Sequence, residues 1–212
     1  TLLVGAQAPS AEAAYIFDKA ANGTWSQTQK IQASNTGSGD QFASSIDISG
    51  DGTVICCGAI NEDTGATNKG AAYIFVKSAA GAWSQTETQF IQASDGTTSD
   101  SFGLGVSVSQ NGDRILVGSH LDDTGEGDSG SMYIFDRTNG VWTQTNHLYP
   151  GHHTAPGGYG MSSAISDDGK VYMVGSPNDE TAGGTDNGAV FVYDEKIYIE
   201  RKNYIGLRCP VL

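Results

Sequence analysis

The fold is decided by residues 101–119, which read SFGLGVSVSQNGDRILVGS. From Phe102 to Val108, large apolar side chains occupy every second position, and Gly or Ser stands between them. This period of two is typical of a β-strand, here named strand A. Residues 110–112 then predict a tight turn, because Asn and Gly tolerate positive φ. Residues 114–118, with three consecutive large apolar side chains after Arg114, predict strand B, so the stretch is expected to form a β-hairpin.

The hairpin belongs to a unit that recurs along the chain. Its landmarks are an aromatic residue that opens strand A, a glycine near the end of strand B and a later tryptophan. They are Phe42, Phe102 and Tyr159; Gly58, Gly118 and Gly175; and Trp25, Trp83 and Trp142. The three series share a spacing of about 57–60 residues, which indicates a tandem repeat. We therefore expect these nine residues to serve the packing of the repeat.

Each unit predicts four short antiparallel strands, A to D, and no stretch shows a sustained helical period. A four-stranded antiparallel unit in tandem is the blade of a β-propeller, so the expected fold class is an all-β propeller. The chain holds about 3.7 such repeats. The predicted propeller covers residues 1–195, with a partial blade 1 over 1–34, blade 2 over 35–94, blade 3 over 95–150 and blade 4 over 151–195.

The count of repeats leaves three arrangements open. Residues 196–212 form an off-pattern tail, and its segment 196–200 could supply the missing strand D of blade 4 in a compact four-bladed ring. The chain could equally be part of a seven-bladed propeller, or an open array that neighbouring copies complete. Incomplete propellers expose the apolar faces of their end blades, so partners are expected in the last two cases.

The residues that recur resemble a known repeat. Phe102-Gly103 ahead of Gly118-Ser119, and the variant Gly175-Ser176-Pro177, are similar to the FG-GAP repeat, which builds the propeller of integrin alpha chains. The integrin type holds calcium in a long A–B hairpin of the form Asp-x-Asp-x-Asp-Gly-x-x-Asp. The hairpin over residues 49–52 has too few carboxylates for the roughly six to eight oxygen ligands of calcium. The chain thus resembles the branch with short A–B hairpins, and Ala43 replaces the motif's glycine in its second unit.

The resemblance implies a non-enzymatic structural or adhesion module, located outside the cell or on its surface. Such a module would engage protein partners or assemble with itself, for example through the Gln- and Thr-rich strands D at the blade edges. The alternative is a propeller that recognises carbohydrate or depends on calcium, and a hydrolase on this scaffold is a more distant alternative. The sequence carries no Ser-His-Asp or paired-carboxylate signature, so neither an enzyme nor a cofactor other than calcium is expected.

The loops between strands B and C are rich in acidic residues. Aligned repeats bring together Glu62, Asp122 and Asp179, and next to them Asp63, Asp123 and Glu180. This repetition predicts a binding rim on one face of the propeller; the alternative is a solvated loop in which Asp and Thr stabilise the turn. Carboxylates are preferred calcium ligands, and the best candidates are Asp122, Asp123, Glu126 and Asp128.

Charge and composition exclude other classes. The chain has 24 acidic and 11 basic side chains and a net charge of -13, which argues against nucleic-acid binding through phosphates. No apolar run approaches the ~20 residues of a membrane span. Cys56 and Cys57 align with apolar positions of strand B and are expected in the core. His147 aligns with Lys30 and is expected to face solvent, while the sequon at Asn22 is a glycosylation candidate.

Overall fold

The computed structural model describes residues 1–7, 12–35, 37–124, 127–150, 158–179 and 188–195, together with the backbone of residues 207–208. In this part of the chain the backbone forms fifteen β-strands. Their bounds are β1 Leu2–Ala6, β2 Ala13–Lys19, β3 Trp25–Ile31, β4 Phe42–Ile48, β5 Val54–Ala59, β6 Ala71–Val76, β7 Gln89–Ile91, β8 Phe102–Val108, β9 Arg114–Ser119, β10 Ser131–Thr138, β11 Val141–Leu148, β12 Ser162–Ile165, β13 Val171–Ser176, β14 Ala189–Asp194 and β15 Leu207–Arg208. Among these described residues, nothing forms a helix that is long and apolar enough to cross a membrane.

The strands form four antiparallel sheets, which are the blades of a propeller. Blade 1 contains β1 to β3, blade 2 β4 to β7, blade 3 β8 to β11 and blade 4 β12 to β15, and neighbours in sequence are neighbours in each sheet. Strands A of adjacent blades contact one another, so they form the inner layer. The predicted all-β propeller architecture is confirmed, and the described sheets do not close into a ring.

Blade 4 takes its fourth strand from the tail of the chain. Strand β15 pairs with β14 and places Leu207 opposite Val192. The segment 196–200, which the sequence offered for this strand, lies outside the described residues. The fourth strand that the structure describes is therefore a later part of the tail.

Successive residues of a strand belong to different apolar cores, because side chains alternate between the two faces of a sheet. In blade 3, Val117 and Tyr133 lie in the core shared with blade 2, and Leu116 lies in the core shared with blade 4. Cys56 lies in the core between blades 2 and 3, and Cys57 in the core between blades 1 and 2. Both cysteines are fully buried, as their alignment with apolar residues predicted.

The aromatic residue that opens strand A fills the junction between two blades. Phe42, Phe102 and Tyr159 have no exposed surface. The ring of Phe102 makes edge-on contacts with the rings of Tyr133 and Phe135, at centroid distances of 5.5 Å and 6.0 Å. The aromatic landmark of the repeat is therefore a packing residue.

The backbone explains the glycine that follows this aromatic residue. Gly103 and Gly160 have φ angles of 110° and 92°, in a region that favours glycine. Ala43 occupies the same position with a φ of 63°. The left-handed conformation costs a residue with a side chain about 1–2 kcal/mol, so the alanine of blade 2 is held there by its surroundings.

The glycine near the end of strand B lets the next blade approach. A Cβ at Gly118 would lie 1.9 Å from the carbonyl oxygen of Gly160 in blade 4. We expect Gly118→Ala to lower the free energy of unfolding by about 3 kcal/mol, because two backbones must move apart. Gly175→Ala is the matched control, since its Cβ would first meet the flexible Oγ of Ser162, and it should cost less than about 1 kcal/mol. Urea denaturation measures both changes, and equal losses would contradict this role of Gly118.

Glutamine side chains of strands D tie neighbouring blades together. Gln89 Nε2 donates to the carbonyl oxygen of Trp142 at 2.6 Å, and the Trp142 amide donates back to Gln89 Oε1 at 2.8 Å. Gln29 Nε2 donates to the carbonyl oxygen of Trp83 at 2.8 Å. Part of the polar character of these strands thus serves contacts within the chain. Pairing of their edges with another chain stays a prediction.

Candidate functional site

The three aligned acidic residues of the predicted rim point into the protein. Glu62, Asp122 and Asp179 are each 2% exposed. The Glu62 carboxylate accepts hydrogen bonds from Asn35 at 2.9 Å and from Gln92 at 3.1 Å. These carboxylates therefore lie at the base of the B–C loops rather than on the rim surface.

The other described members of the predicted rim and of the predicted calcium site lie closer to the surface. Asp63, Asp123 and Asp128 are exposed. Glu126 and Glu180 lie outside the described residues. Within the described ranges, no group of three or more His, Cys, Asp and Glu side chains is arranged to hold a metal ion. Calcium binding at the third B–C loop stays a prediction.

The glycosylation candidate lies in the turn between β2 and β3. Asn22 is exposed, and its Oδ1 accepts a hydrogen bond from the Thr24 amide at 3.0 Å. A glycan at this turn would extend into solvent. Glycosylation, and with it an extracellular location, stay predictions.

The structure brings three polar side chains into a Ser-His-Asp arrangement that the sequence did not reveal. Ser131 Oγ lies 2.8 Å from His147 Nε2, and His147 Nδ1 lies 3.2 Å from Asp95 Oδ2. Ser131 opens β10, and His147 stands near the end of β11. Asp95 follows β7 in the connection from blade 2 to blade 3. This is the order of contacts that activates a serine nucleophile: hydroxyl, imidazole and carboxylate.

Tyr133 and Asp122 hold this cluster in place. The Tyr133 ring stacks on the His147 ring at a centroid distance of 4.2 Å. The Tyr133 hydroxyl lies 2.6 Å from Asp122 Oδ2 and 3.0 Å from Asp95 Oδ1. Ser131 Oγ also lies 2.9 Å from Asp122 Oδ1. The imidazole ring and the Oγ atom of Ser131 are therefore held in fixed positions.

The ionisation of the two supporting groups follows from their contacts. Burial, and then the hydrogen bond to Asp122, raise the pKa of Tyr133 far above its usual value, so the phenol stays protonated. Burial alone would raise the pKa of Asp122 as well. Hydrogen bonds from Thr124, Tyr133 and Ser131 outweigh that effect and hold the pKa below its usual value. Asp122 is thus an ionised acceptor, which fits a hydrogen-bonded buried carboxylate.

The cluster runs from the interior to the surface. Ser131 has no exposed surface. The side chains of His147 and Asp95 are 16% and 43% exposed. The half-exposed ring of Tyr149 lies edge-on to His147 at 5.6 Å. The expectation that His147 faces solvent is wrong, because its ring stacks on Tyr133 across the β10–β11 pair.

Blade 2 has the same scaffold without the Ser-His-Asp residues. The positions of Ser131, His147 and Asp95 are there occupied by Ala71, Phe90 and Asn35. The supporting tyrosine is retained, and it donates to Asn35 Oδ1 at 2.8 Å. Three residues that differ from their counterparts in blade 2 therefore lie in contact at blade 3. A residue-by-residue alignment of the two blades could have found them from the sequence.

A cavity lies on the inner layer, between the strands A of blades 2, 3 and 4. It has a volume of about 320 Å³ and is lined in part by Asp47, Ser107 and Ser163. Asp47 is the charged side chain among β4, β8 and β12, and it accepts a hydrogen bond from the Val108 amide at 2.7 Å. Burial raises the pKa of this carboxyl group. The cavity offers a carboxylate and two hydroxyls but no imidazole.

Comparison with known proteins identifies the repeat. The model of the FG-GAP repeat family matches residues 25–75 and 83–135. The chain contains FG-GAP repeats. The finer assignment to the branch with short A–B hairpins stays a prediction, and no curated protein sequence matches the chain.

Solved structures resemble the FG-GAP chain at the level of the fold. A candidate 6-phosphogluconolactonase from Bacteroides uniformis has a TM-score of 0.55 and 15% identity, over 94% of this chain and 52% of its own. The periplasmic gluconolactonase PpgL of Pseudomonas aeruginosa has a TM-score of 0.51 and 16% identity, over 86% and 46%. A Desulfotomaculum acetoxidans protein of unknown function has a TM-score of 0.51 and 12% identity, over 87% and 48%. The chain spans about half the length of these proteins.

These neighbours correct the expected function. The sequence predicted a non-enzymatic adhesion or structural module, whereas two of the solved propellers that resemble the chain are named as lactone hydrolases. The earlier expectation followed from the family resemblance alone, and a propeller repeat defines blade packing rather than a site. The predictions of a non-enzymatic module and of no enzyme are therefore wrong. At these identities the likeness itself shows the fold.

Proposed function

We propose that the FG-GAP chain contributes a serine hydrolase site that cleaves an ester or lactone. The observation that carries the proposal is the contact of Ser131 with His147, together with the contact of His147 with Asp95. A hydroxyl, an imidazole and a carboxylate in this order form a nucleophile, a general base and an orienting group. The names of the two lactone hydrolases among the structural neighbours support the same class of reaction.

The reaction follows from the roles of these three groups. Ser131 Oγ attacks the carbonyl carbon of the substrate, and its proton passes to His147 Nε2. The bond from that carbon to the leaving oxygen then breaks, and His147 gives the proton to this oxygen. Water attacks the acyl group on Ser131 with His147 again as the base, which releases the acid and restores the hydroxyl. Asp95 accepts a hydrogen bond from His147 Nδ1 and stabilises the imidazolium of each step.

Two features of the cluster control the nucleophile. The single proton of Ser131 can be donated to Asp122 or to His147, so the hydroxyl must turn towards His147 before attack. Ser131 is also buried. Acylation therefore requires a local opening at this end of blade 3, past the partly exposed His147. Exclusion of water from the closed site would strengthen its electrostatic interactions.

The charge around the site favours a neutral substrate. Asp95 and Asp122 flank the imidazole and the serine, and the whole chain has a net charge of -13. A phosphorylated or carboxylated substrate would be repelled by this field. We therefore expect an uncharged lactone or ester, such as the lactone of a simple sugar acid, to be preferred over its phosphorylated form.

A fluorophosphonate probe tests the nucleophile directly. We expect the probe to label Ser131, as identified by peptide mass spectrometry, and to block hydrolysis of glucono-δ-lactone and p-nitrophenyl acetate. Ser131→Ala should lose both the label and the hydrolysis. Ser107→Ala is the matched control, because Ser107 Oγ bonds to Ser163 Oγ rather than to an imidazole. Hydrolysis no faster than in buffer, or a label on a serine other than Ser131, would contradict the proposal.

A further inference from the structure

Tyr149 breaks the pattern of the repeat beside the Ser-His-Asp cluster. It directly follows β11, and the residues that directly follow the last strand of blades 1 and 2 are Gln32 and Gln92. Gln32 Nε2 donates to the carbonyl oxygen of Glu12 at 3.0 Å, and Gln92 Nε2 donates to the carbonyl oxygen of Gly70 at 3.0 Å. Both carbonyls stand directly before a strand, β2 or β6. The glutamine therefore serves the same structural contact in two blades, and blade 3 has a tyrosine in its place.

The ring of Tyr149 makes a different contact, with the imidazole of the cluster. It lies edge-on to the His147 ring at a centroid distance of 5.6 Å, and the His147 ring stacks on that of Tyr133 at 4.2 Å. Tyr133 has no exposed surface, whereas Tyr149 is 50% exposed. Three rings thus lead from the buried end of the cluster to the surface. The ring of Tyr149 is the outermost of them, so a ligand that approaches the cluster meets it first.

Asp95 places a hydrogen-bond acceptor beside the same imidazole. Its Oδ2 lies 3.2 Å from His147 Nδ1, and its Oδ1 lies 3.0 Å from the Tyr133 hydroxyl. The side chain is 43% exposed. An ionised carboxylate has about four lone-pair sites, so Asp95 can accept further hydrogen bonds on its solvent side. The surface beside His147 therefore combines an aromatic ring with a carboxylate acceptor.

We infer that Tyr149 and Asp95 form a surface platform that binds the ring of a neutral sugar lactone. The face of an aromatic ring is electron-rich and packs against the C–H face of a sugar ring, while a carboxylate accepts hydrogen bonds from its hydroxyl groups. The net charge of -13 disfavours an anionic ligand. The inference rests on the proposed function for the identity of the ligand, because the platform lies beside the imidazole of the hydrolase site.

The platform explains how a substrate is selected before the buried serine is reached. Ser131 has no exposed surface, and attack on a substrate requires a local opening past His147. Tyr149 is exposed without that opening. A cyclic, hydroxylated substrate can therefore bind at the platform first, whereas a small alkyl ester has neither a ring to pack on Tyr149 nor hydroxyl groups for Asp95. Tyr149 would thus set the preference for sugar lactones over alkyl esters.

Glucono-δ-lactam, in which an N–H group replaces the ring oxygen of the lactone, is a probe of binding without hydrolysis. We expect it to shift the NMR amide signals of residues 147–149 in the intact chain. Tyr149→Ala should weaken its affinity about tenfold, and Tyr149→Phe should change it less than about twofold, because the ring is kept. Trp25→Ala is the matched control: Trp25 is a 47% exposed aromatic residue of blade 1, and its loss should leave the affinity unchanged. Thermal melting will show that the variants keep the fold.

Hydrolysis separates this inference from the proposed function. In Tyr149→Ala, kcat/KM for glucono-δ-lactone should fall about tenfold through KM, while kcat/KM for ethyl acetate should fall less than about twofold. Lactam binding that depends on Tyr149 and persists in Ser131→Ala would support the platform even if the chain hydrolyses nothing. Unshifted signals at the highest soluble lactam concentration, or equal lactam affinity for the chain and its Tyr149→Ala variant, would overturn the inference. Neither result would affect hydrolysis that depends on Ser131.

Discussion

Replacement of Ser131, His147 and Asp95 by the residues of blade 2 should abolish hydrolysis and keep the fold. The variants are Ser131→Ala, His147→Phe and Asp95→Asn. Each should lower kcat by about 10³-fold or more, because loss of any member of such a triad removes the activated nucleophile. The rate of p-nitrophenyl acetate hydrolysis measures the loss.

The repeat supplies the reason why these variants should fold. Blade 2 already accommodates Ala71, Phe90 and Asn35 around Tyr73, whose ring lies 5.3 Å from that of Phe90. The replacements therefore restore a combination that the same scaffold tolerates. Circular dichroism and melting temperature should stay close to those of the unchanged chain.

Combination of the variants separates a catalytic role from a structural one. Members of a triad act as a unit, so the double variant Ser131→Ala, His147→Phe should be no slower than the slower single variant. If the three residues serve only the structure, the loss of hydrolysis in each variant should instead follow its loss of stability. Unchanged hydrolysis in Ser131→Ala would remove the proposed function.

The blade architecture could be predicted because its cause is local. Alternation of large and small residues from Phe102 to Val108 specifies a strand that is buried on both sides. The regular spacing of the tryptophans then indicates that this unit recurs along the chain. Even Cys56 and Cys57 could be assigned to the core, since their positions in strand B define which neighbour each faces.

The site could not be predicted in the same way because it depends on orientation. His147 looks like a solvent-facing residue of strand D, yet the register of β11 places it opposite Tyr133. Blade 1 has the same register, with Lys30 opposite Tyr15, so the difference comes from the side chain: the flat imidazole of His147 stacks on the Tyr133 ring. Asp122 looks like part of an acidic surface loop, but the hydroxyls of Ser131 and Tyr133 draw its carboxylate inwards.

The buried repeat tryptophans should contribute far more to the free energy of unfolding than the exposed one. Trp142 is 1% exposed and lies in the core between blades 2 and 3. Its Nε1 donates to the Gly112 carbonyl at 3.1 Å, and the Arg137 guanidinium lies 4.4 Å from its ring centroid. We expect Trp142→Ala to lower the free energy of unfolding by about 3–5 kcal/mol, as is usual for a buried aromatic residue.

Trp25 is the matched control, because it occupies the same repeat position in blade 1 and is 47% exposed. Trp25→Ala should cost less than about 1 kcal/mol, since little buried surface is lost. Denaturation followed by circular dichroism measures both variants without relying on tryptophan fluorescence. Trp83, which is 6% exposed and lies in the core with blade 1, should resemble Trp142. Similar costs for Trp25 and Trp142 would mean that the tryptophan stabilises its own blade, whereas a large difference means that its contribution comes from the preceding blade.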